Sequence, residues 1–304
     1  MKILIGYDGS DCAKAALQDL ERAGLPQNAE VMVMTAVDVF IPPRLDEEEE
    51  AEFQKYVPQG IKLAHERNAR IFAEAEALAA QAGEKLRAMF PGWDVQTEAL
   101  TDTPHWALIK ETDKRKPDLV VVGSHGRSAF GRMILGSVSQ KILYESKCSV
   151  RIARGRTLTA DTPIRLVLGT DGSPDADAML ETVAARNWQD GTQVKLITAA
   201  ESFHQYGTDP EEQMNRISEI QQSAVKKLNE AGLEVTPIIK EGDPKHIIVL
   251  EAEEWGADCI FLGALGHRFL ERFLIGSVSS AVAARAHCSV EIVRRKIGHS
   301  EKAE

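Results

Sequence analysis

The 304-residue sequence predicts two tandem copies of a doubly wound, parallel-sheet α/β fold. Three observations lead there. Short apolar runs alternate with helical patterns, the signature of βαβ units. The alternation occurs twice: ILIGYDGS at 3–10 returns as LVLGTDGS at 166–173, and SKCSVRIAR at 146–154 as AHCSVEIVR at 286–294. A glycine-rich stretch follows an apolar run in each half, GSHGRSAFGRMILGSVS at 123–139 and GALGHRFLERFLIGSVS at 263–279.

The elements of the first half read in order. KILIGYD (2–8) is a strand, and DCAKAALQDLERAG (11–24) a helix closed by Gly24. AEVMVMTAVDV (29–39) is a buried strand, and HERNARIFAEAEALAAQAGEKLRAMF (65–90) a long amphipathic helix. WDVQTEAL, DLVVVGS and CSVRIA are further strands. Helices begin after Thr103-Pro104 and after Gly136-Ser137. Thr103 and Asp243 read as N-caps, with Pro104 and Pro244 at the first helical position. Right-handed crossovers then give one doubly wound layer per half.

Pro104 and Pro244 lie 140 residues apart but Asp8 and Asp171 lie 163 apart, so the first half carries 23 extra residues between those points. Residues 41–67, rich in prolines and charges, read as the insertion, either a loop or a helical extension. The expected domains are 1–153 and 164–295, with 154–163 as a polar linker and 296–304 as a flexible tail. The two final Cys-Ser-Val strands are the natural partners for an internal pseudo-dimer, because edges left unpaired are a liability. A homodimer of chains is a further option.

Composition excludes several classes. The net charge of −10 argues against a nucleic-acid surface. No apolar run approaches the roughly 18 residues of a bilayer span. The start, MKILIGYDGS, enters a strand directly and does not read as a signal peptide, which makes the cytoplasm the default. The acidic run DEEEEAE (46–52) reads as a solvated face, with a docking arm as the other reading. The four cysteines form no CxxC pair or zinc spacing and read as reduced, mostly buried thiols.

In such a sheet ligands bind beyond the carboxyl ends of the strands, where strand order reverses. Gly123 and Gly126 remove side chains where backbone turns and approaches a ligand. Gly136 and Ser137 open a helix whose first N–H groups and dipole make an anion site. Arg127, Arg132, His267, Arg268 and Arg272 add nearby positive charge. The same glycines can serve as mere turns, and Ser137 and Ser277 as mere N-caps; keeping the pattern in both halves favours a phosphate site. A carboxylate cannot hold a phosphate, so Asp8 and Asp171 would accept from a ribose hydroxyl or adenine amine, or else form an Asx-turn at the next helix.

The pattern G-x2-G-x9-G-[ST], as Gly123, Gly126, Gly136, Ser137 and again as Gly263, Gly266, Gly276, Ser277, resembles the ATP-binding signature of the universal stress protein family. The Asp-Gly-Ser ends, the segments before Pro104 and Pro244, and the Cys-Ser-Val strands extend the likeness over nearly the whole chain. The resemblance implies Rossmann-like domains similar to adenine nucleotide alpha hydrolases, binding ATP or another adenylate with Mg²⁺. In the first half it implies contacts from Asp8, Ala36, Gly123, Ser124, His125, Gly126, Arg127, Ser128, Ala129, Gly136, Ser137, Val138 and Ser139. In the second it implies Asp171, Ala199, Gly263, Ala264, Leu265, Gly266, His267, Arg268, Phe269, Gly276, Ser277, Val278 and Ser279. The chain departs from the family where alanine replaces the frequent adenine-lining valine, and where Ala264 and Phe269 replace Ser124 and Ala129. No P-loop, GxSxG or HExxH is present, so a nucleotide-responsive stress module with slow or no turnover leads. The alternatives are an ATP-hydrolysing or adenylating enzyme and a nucleotide-free scaffold.

Overall fold

The structure, a computed structural model, describes residues 1–41, 56–126, 135–155, 162–200, 210–266 and 275–295. The first half runs β1 (Lys2–Gly6), α1 (Asp11–Asp19), β2 (Ala29–Val37), α2 (Gln59–Met89), β3 (Trp93–Thr101), α3 (Pro104–Arg115), β4 (Leu119–Gly123), α4 (Ser137–Glu145) and β5 (Ser149–Ala153). The second runs β6 (Arg165–Gly169), α5 (Pro174–Ala184), β7 (Gln193–Ala200), α6 (Pro210–Glu230), β8 (Glu234–Glu241), α7 (Pro244–Trp255), β9 (Cys259–Gly263), α8 (Ser277–Arg285) and β10 (Ser289–Val293).

All ten strands form one sheet in the order β3-β2-β1-β4-β5-β10-β9-β6-β7-β8. Neighbours are parallel within each half, and the halves meet at an antiparallel β5–β10 pair. The expected pairing of the two Cys-Ser-Val strands is therefore the joint of the molecule. In each half strand order reverses between the first and fourth strands, which puts a switch point beside β1 and another beside β6.

Ile3, Leu4 and Ile5 are all buried, as expected of a strand covered on both faces. One face of the sheet carries a continuous apolar core that includes Val150 and Ile152 of β5 and Val290 and Ile292 of β10. The other face carries two separate cores, one under α1 and α2 and one under α5 and α6. Each large apolar side chain buried in these cores contributes about 1.5–3 kcal/mol relative to exposure.

Three local readings change against the structure. The first helix ends at Asp19 and tightens into a 3₁₀ turn over Leu20–Arg22, short of Gly24. Gly24 has φ +61°, and a Cβ on it would stand 2.7 Å from the Trp188 ring of the second half. Gly24→Ala is therefore expected to cost about 1–3 kcal/mol through overpacking, read as a lower urea midpoint at unchanged m-value. The long helix starts at Gln59, after Pro58, so the described end of the insertion is a helical extension; residues 42–55 of it lie outside the described residues. Thr103 occupies the N-cap position of α3 without making the cap bond, its Oγ1 buried with no partner among the described residues. Asp102 instead accepts the Thr103 N–H at 2.7 Å, whereas Asp243 caps α7 by accepting from Lys245 N at 3.0 Å. The hydroxyls that do cap helices are those of Ser10 and Ser173, accepting from Ala13 N and Ala176 N.

All four cysteines are free thiols. Burial pushes the Cys148 thiol up to about 11 and the fully buried Cys259 well above its ordinary range. At pH 8 both are expected to resist a thiol reagent in the folded chain and to react once it is unfolded in denaturant.

Candidate nucleotide site

Each switch point is assembled from the end of the first strand of a half, the loop after its fourth strand, and the helix that follows. The first-strand ends are superposable in their bonding. Asp8 Oδ1 accepts the Ser10 N–H at 3.0 Å, and Asp171 Oδ1 accepts the Ser173 N–H at 3.0 Å. Gly9 and Gly172 sit between them at φ +75°, a left-handed turn that favours glycine. The Asx-turn reading of the two acids is thus realised, but only one carboxylate oxygen is used for it. The other faces the glycine loop: a Cβ on Gly126 would lie 3.0 Å from Asp8 Oδ2, and one on Gly266 2.6 Å from Asp171 Oδ2.

The remaining glycines are sterically required as well. A Cβ on Gly123 would come within 2.9 Å of the Cys12 backbone, and one on Gly263 within 2.6 Å of the Asp175 backbone. The loop can pass so close to the start of α1 or α5 only without side chains. Ser10 and Ser173 reinforce the contact by donating to the carbonyls of His125 (3.4 Å) and Leu265 (3.2 Å).

The loop then closes on itself. The Gly136 N–H donates to Ser124 O at 2.9 Å, and the Gly276 N–H to Ala264 O at 2.8 Å. Ser139 and Ser279 are buried and donate to the carbonyls of Gly123 and Gly263 at 2.6 and 2.7 Å. Their hydroxyls lock the loop, which leaves Ser137 and Ser277, first residues of α4 and α8, as the serines beside it. Gly136 and Gly276 are the N-caps of these helices and supply no side-chain cap. The first turn of each helix therefore presents backbone N–H groups and the positive end of its dipole toward the crest of the sheet.

In the second half these parts enclose a cavity of about 580 Å³. Asp171, Ala199, Gly263, Leu265, Gly266 and Gly276 to Ser279 line it, so nine expected residues meet there. Ala264 is buried behind the loop. Arg216, Ile217 and Ile220 of α6 also line the cavity. Sequence reasoning missed them, although the stripe Ile217, Gln221, Ala224, Leu228 marks the buried face of α6 and places Arg216 at its margin. In the first half Asp8, Gly123 to Gly126 and Gly136 to Ser139 meet in the matching arrangement, and Ala36 near the end of β2 packs partly buried against the core.

The halves are not identical. Ser124 and His125, whose Oγ and Nδ1 lie 3.2 Å apart, are replaced by Ala264 and Leu265. The counterpart of His125 is thus Leu265 rather than His267. His125 Nε2 is buried without a partner among the described residues. Arg127, Ser128, Ala129, Arg132, His267, Arg268, Phe269 and Arg272 lie outside the described residues. Among the described residues no three His, Cys, Asp or Glu side chains gather as a metal site.

Comparison with known proteins agrees with this layout. The profile of the universal stress protein family matches residues 1–154 and again 164–294. A universal stress protein of Mycobacterium tuberculosis is 26% identical over 324 aligned residues, spanning 96% of this chain and 97% of that one. One from Thermus aquaticus is 30% identical over 152 residues, 50% of this chain and 97% of its own length. Among solved structures, a universal stress protein from Archaeoglobus fulgidus superposes over 97% of this chain and 98% of that chain with TM-score 0.66 at 21% identity. No described helix is long and apolar enough to cross a membrane. Two successive family matches covering nearly all of the sequence, on two halves of one repeated fold, mean that the chain belongs to the universal stress protein family as a tandem pair of its domains.

Proposed function

We propose that the chain binds adenine nucleotide, ATP foremost, at both switch points and works as a nucleotide-responsive stress module with slow or no turnover. One observation carries the reading: in both halves a glycine-capped helix N-terminus and a first-strand carboxylate face the same loop at a glycine, Gly126 or Gly266. The helix terminus suits a phosphate chain. The carboxylate suits a ribose or adenine donor held one nucleoside length away, and the apolar walls from Ile197, Ile217 and Ile220 suit a base. Mg²⁺ would enter with the phosphates. Arg216 lines the second-half cavity, whereas the first half carries Ser124 and His125 where the second has Ala264 and Leu265, so the two affinities are expected to differ.

Denaturing freshly purified protein and quantifying the released nucleotide, then titrating ATP into the emptied chain, tests this. Two adenylates per chain are expected, with unequal dissociation constants. Absence of any nucleotide together with no ATP binding at millimolar concentration sinks the proposal and leaves the glycines as turns.

A further inference from the structure

The β5–β10 joint is a pseudo-two-fold interface between the same strand of each half. Its register pairs Val150 with Ile292, Arg151 with Glu291 and Ile152 with Val290. Arg151 and Glu291 are equivalent in the repeat, 140 residues apart like Pro104 and Pro244. They therefore lie on the axis itself, where a true dimer of identical domains would place a residue against its own copy.

Most of the joint obeys the symmetry. The Arg154 N–H donates to Ser289 Oγ at 2.9 Å, and the Arg294 N–H to Ser149 Oγ at 3.2 Å. Arg154 Nη2 donates to Ala283 O at 2.6 Å, and Arg294 Nη2 to Leu143 O at 2.8 Å. These contacts would work as well between two copies of either half.

The axis breaks the symmetry. The Arg151 side chain is 1% exposed and that of Glu291 0%. Arg151 Nη1 reaches Glu291 Oε2 at 3.0 Å, and its Nε reaches Asp19 Oδ2 at 2.6 Å. Arg186 pairs with the other oxygen of Glu291, and the Ser289 hydroxyl donates to Asp19 Oδ1 at 2.6 Å. Two acids and two bases make a neutral quartet, between the two cores on that face of the sheet.

We propose that this quartet is a sorting device: β5 takes a strand with an acid at the axis, β10 one with a base, so each half accepts the other half and refuses a second copy of itself. The partner chemistry is set by two facts. Residues directly opposite on an antiparallel pair have Cβ atoms about 5 Å apart. Self-pairing of β5 would place two buried guanidiniums there, and self-pairing of β10 two buried carboxylates. A neutral axis would have cost less to bury, since buried ion pairs rarely gain over apolar packing, and in some proteins buried polar groups instead fix which partner is chosen. The single-chain joint thereby stays closed, and neither central edge is open to strands of other molecules.

The test uses full-length chains. Arg151→Glu makes the quartet net −2 and Glu291→Arg makes it net +2, so each variant is expected to melt about 10 °C or more below the native chain. Co-refolding the two variants under different tags offers each chain a complementary strand on the other. One joint of such a mixed particle is native and the second a neutral exchange of the axis charges. Particles carrying both tags are expected, in excess over native chains refolded the same way. The double variant R151E/E291R, neutral again within one chain, is expected to regain more than half of the lost melting temperature. The idea is overturned if either single variant melts as the native chain does, if the mixture yields no excess of doubly tagged particles, or if the double variant melts no higher than the singles.

Discussion

Replacing both Gly126 and Gly266 by valine is expected to abolish nucleotide binding while leaving the sheet intact. The Cβ alone would approach Asp8 Oδ2 to 3.0 Å and Asp171 Oδ2 to 2.6 Å, and the two methyl groups of valine need more room still. The side chain therefore fills the space between the carboxylate and the helix N-terminus. Neither glycine has a positive φ in the structure, so no backbone strain is added, and both stand on the open side of the loop. The expected loss is about 100-fold or more per site, near 2.7 kcal/mol, with the far-ultraviolet spectrum and melting temperature of the empty protein changed little. Single variants, read by calorimetric titration, assign each phase of binding to its half. Binding that persists in the double variant would mean that ligand sits elsewhere.

Arg151→Met is expected to give the largest loss of stability of any single neutralisation in the chain, about 3–5 kcal/mol. Methionine keeps the aliphatic bulk beside Phe261 but removes the charge that Asp19 faces. Asp19, 10% exposed, then keeps the Ser289 hydroxyl as a donor, while Glu291 keeps Arg186. Because Asp19 is the group left stranded, Arg151→Met combined with Asp19→Asn should recover part of the loss. Urea unfolding of the three proteins measures this. A single variant as stable as native would show the quartet to be energetically idle.

The strands and their pairing were legible because they are nearly continuous apolar runs and because the chain states them twice. The glycine loops were legible for the same reason: spacing retained in two diverged halves marks a backbone requirement, and each glycine proves to lie against backbone or a carboxylate. What escaped the sequence depends on contacts made across long separations. Gly24, expected to close the first helix, instead lies past the 3₁₀ turn against Trp188 of the other half. Arg216 reaches the cavity from a helix whose sequence announces only its buried stripe. Gln59 begins α2 with no capping side chain before it, so nothing local marked that start. Thr103 carries the right residue type for a cap, yet Asp102 takes its N–H and the hydroxyl goes unused. Nothing in the sequence marked Arg151 and Glu291, since a charge buried by its partner looks the same in sequence as one exposed to water.

The two clasping arginines of the joint have a mechanical meaning. Arg294 follows Val293, whose carbonyl holds the Ala264 N–H of the second loop, and its guanidinium grips the Leu143 carbonyl near the end of α4. The opposite end of α4 is the N-terminus that opens the first site. Arg154 makes the mirror connection, from Ala153 and the Ser124 N–H to Ala283 on α8. Each site helix is thus a lever held at its far end by the strand that supports the other site's loop. The two crests are thereby joined by hydrogen bonds through the joint, and any influence of one bound ligand on the other must be equal in both directions.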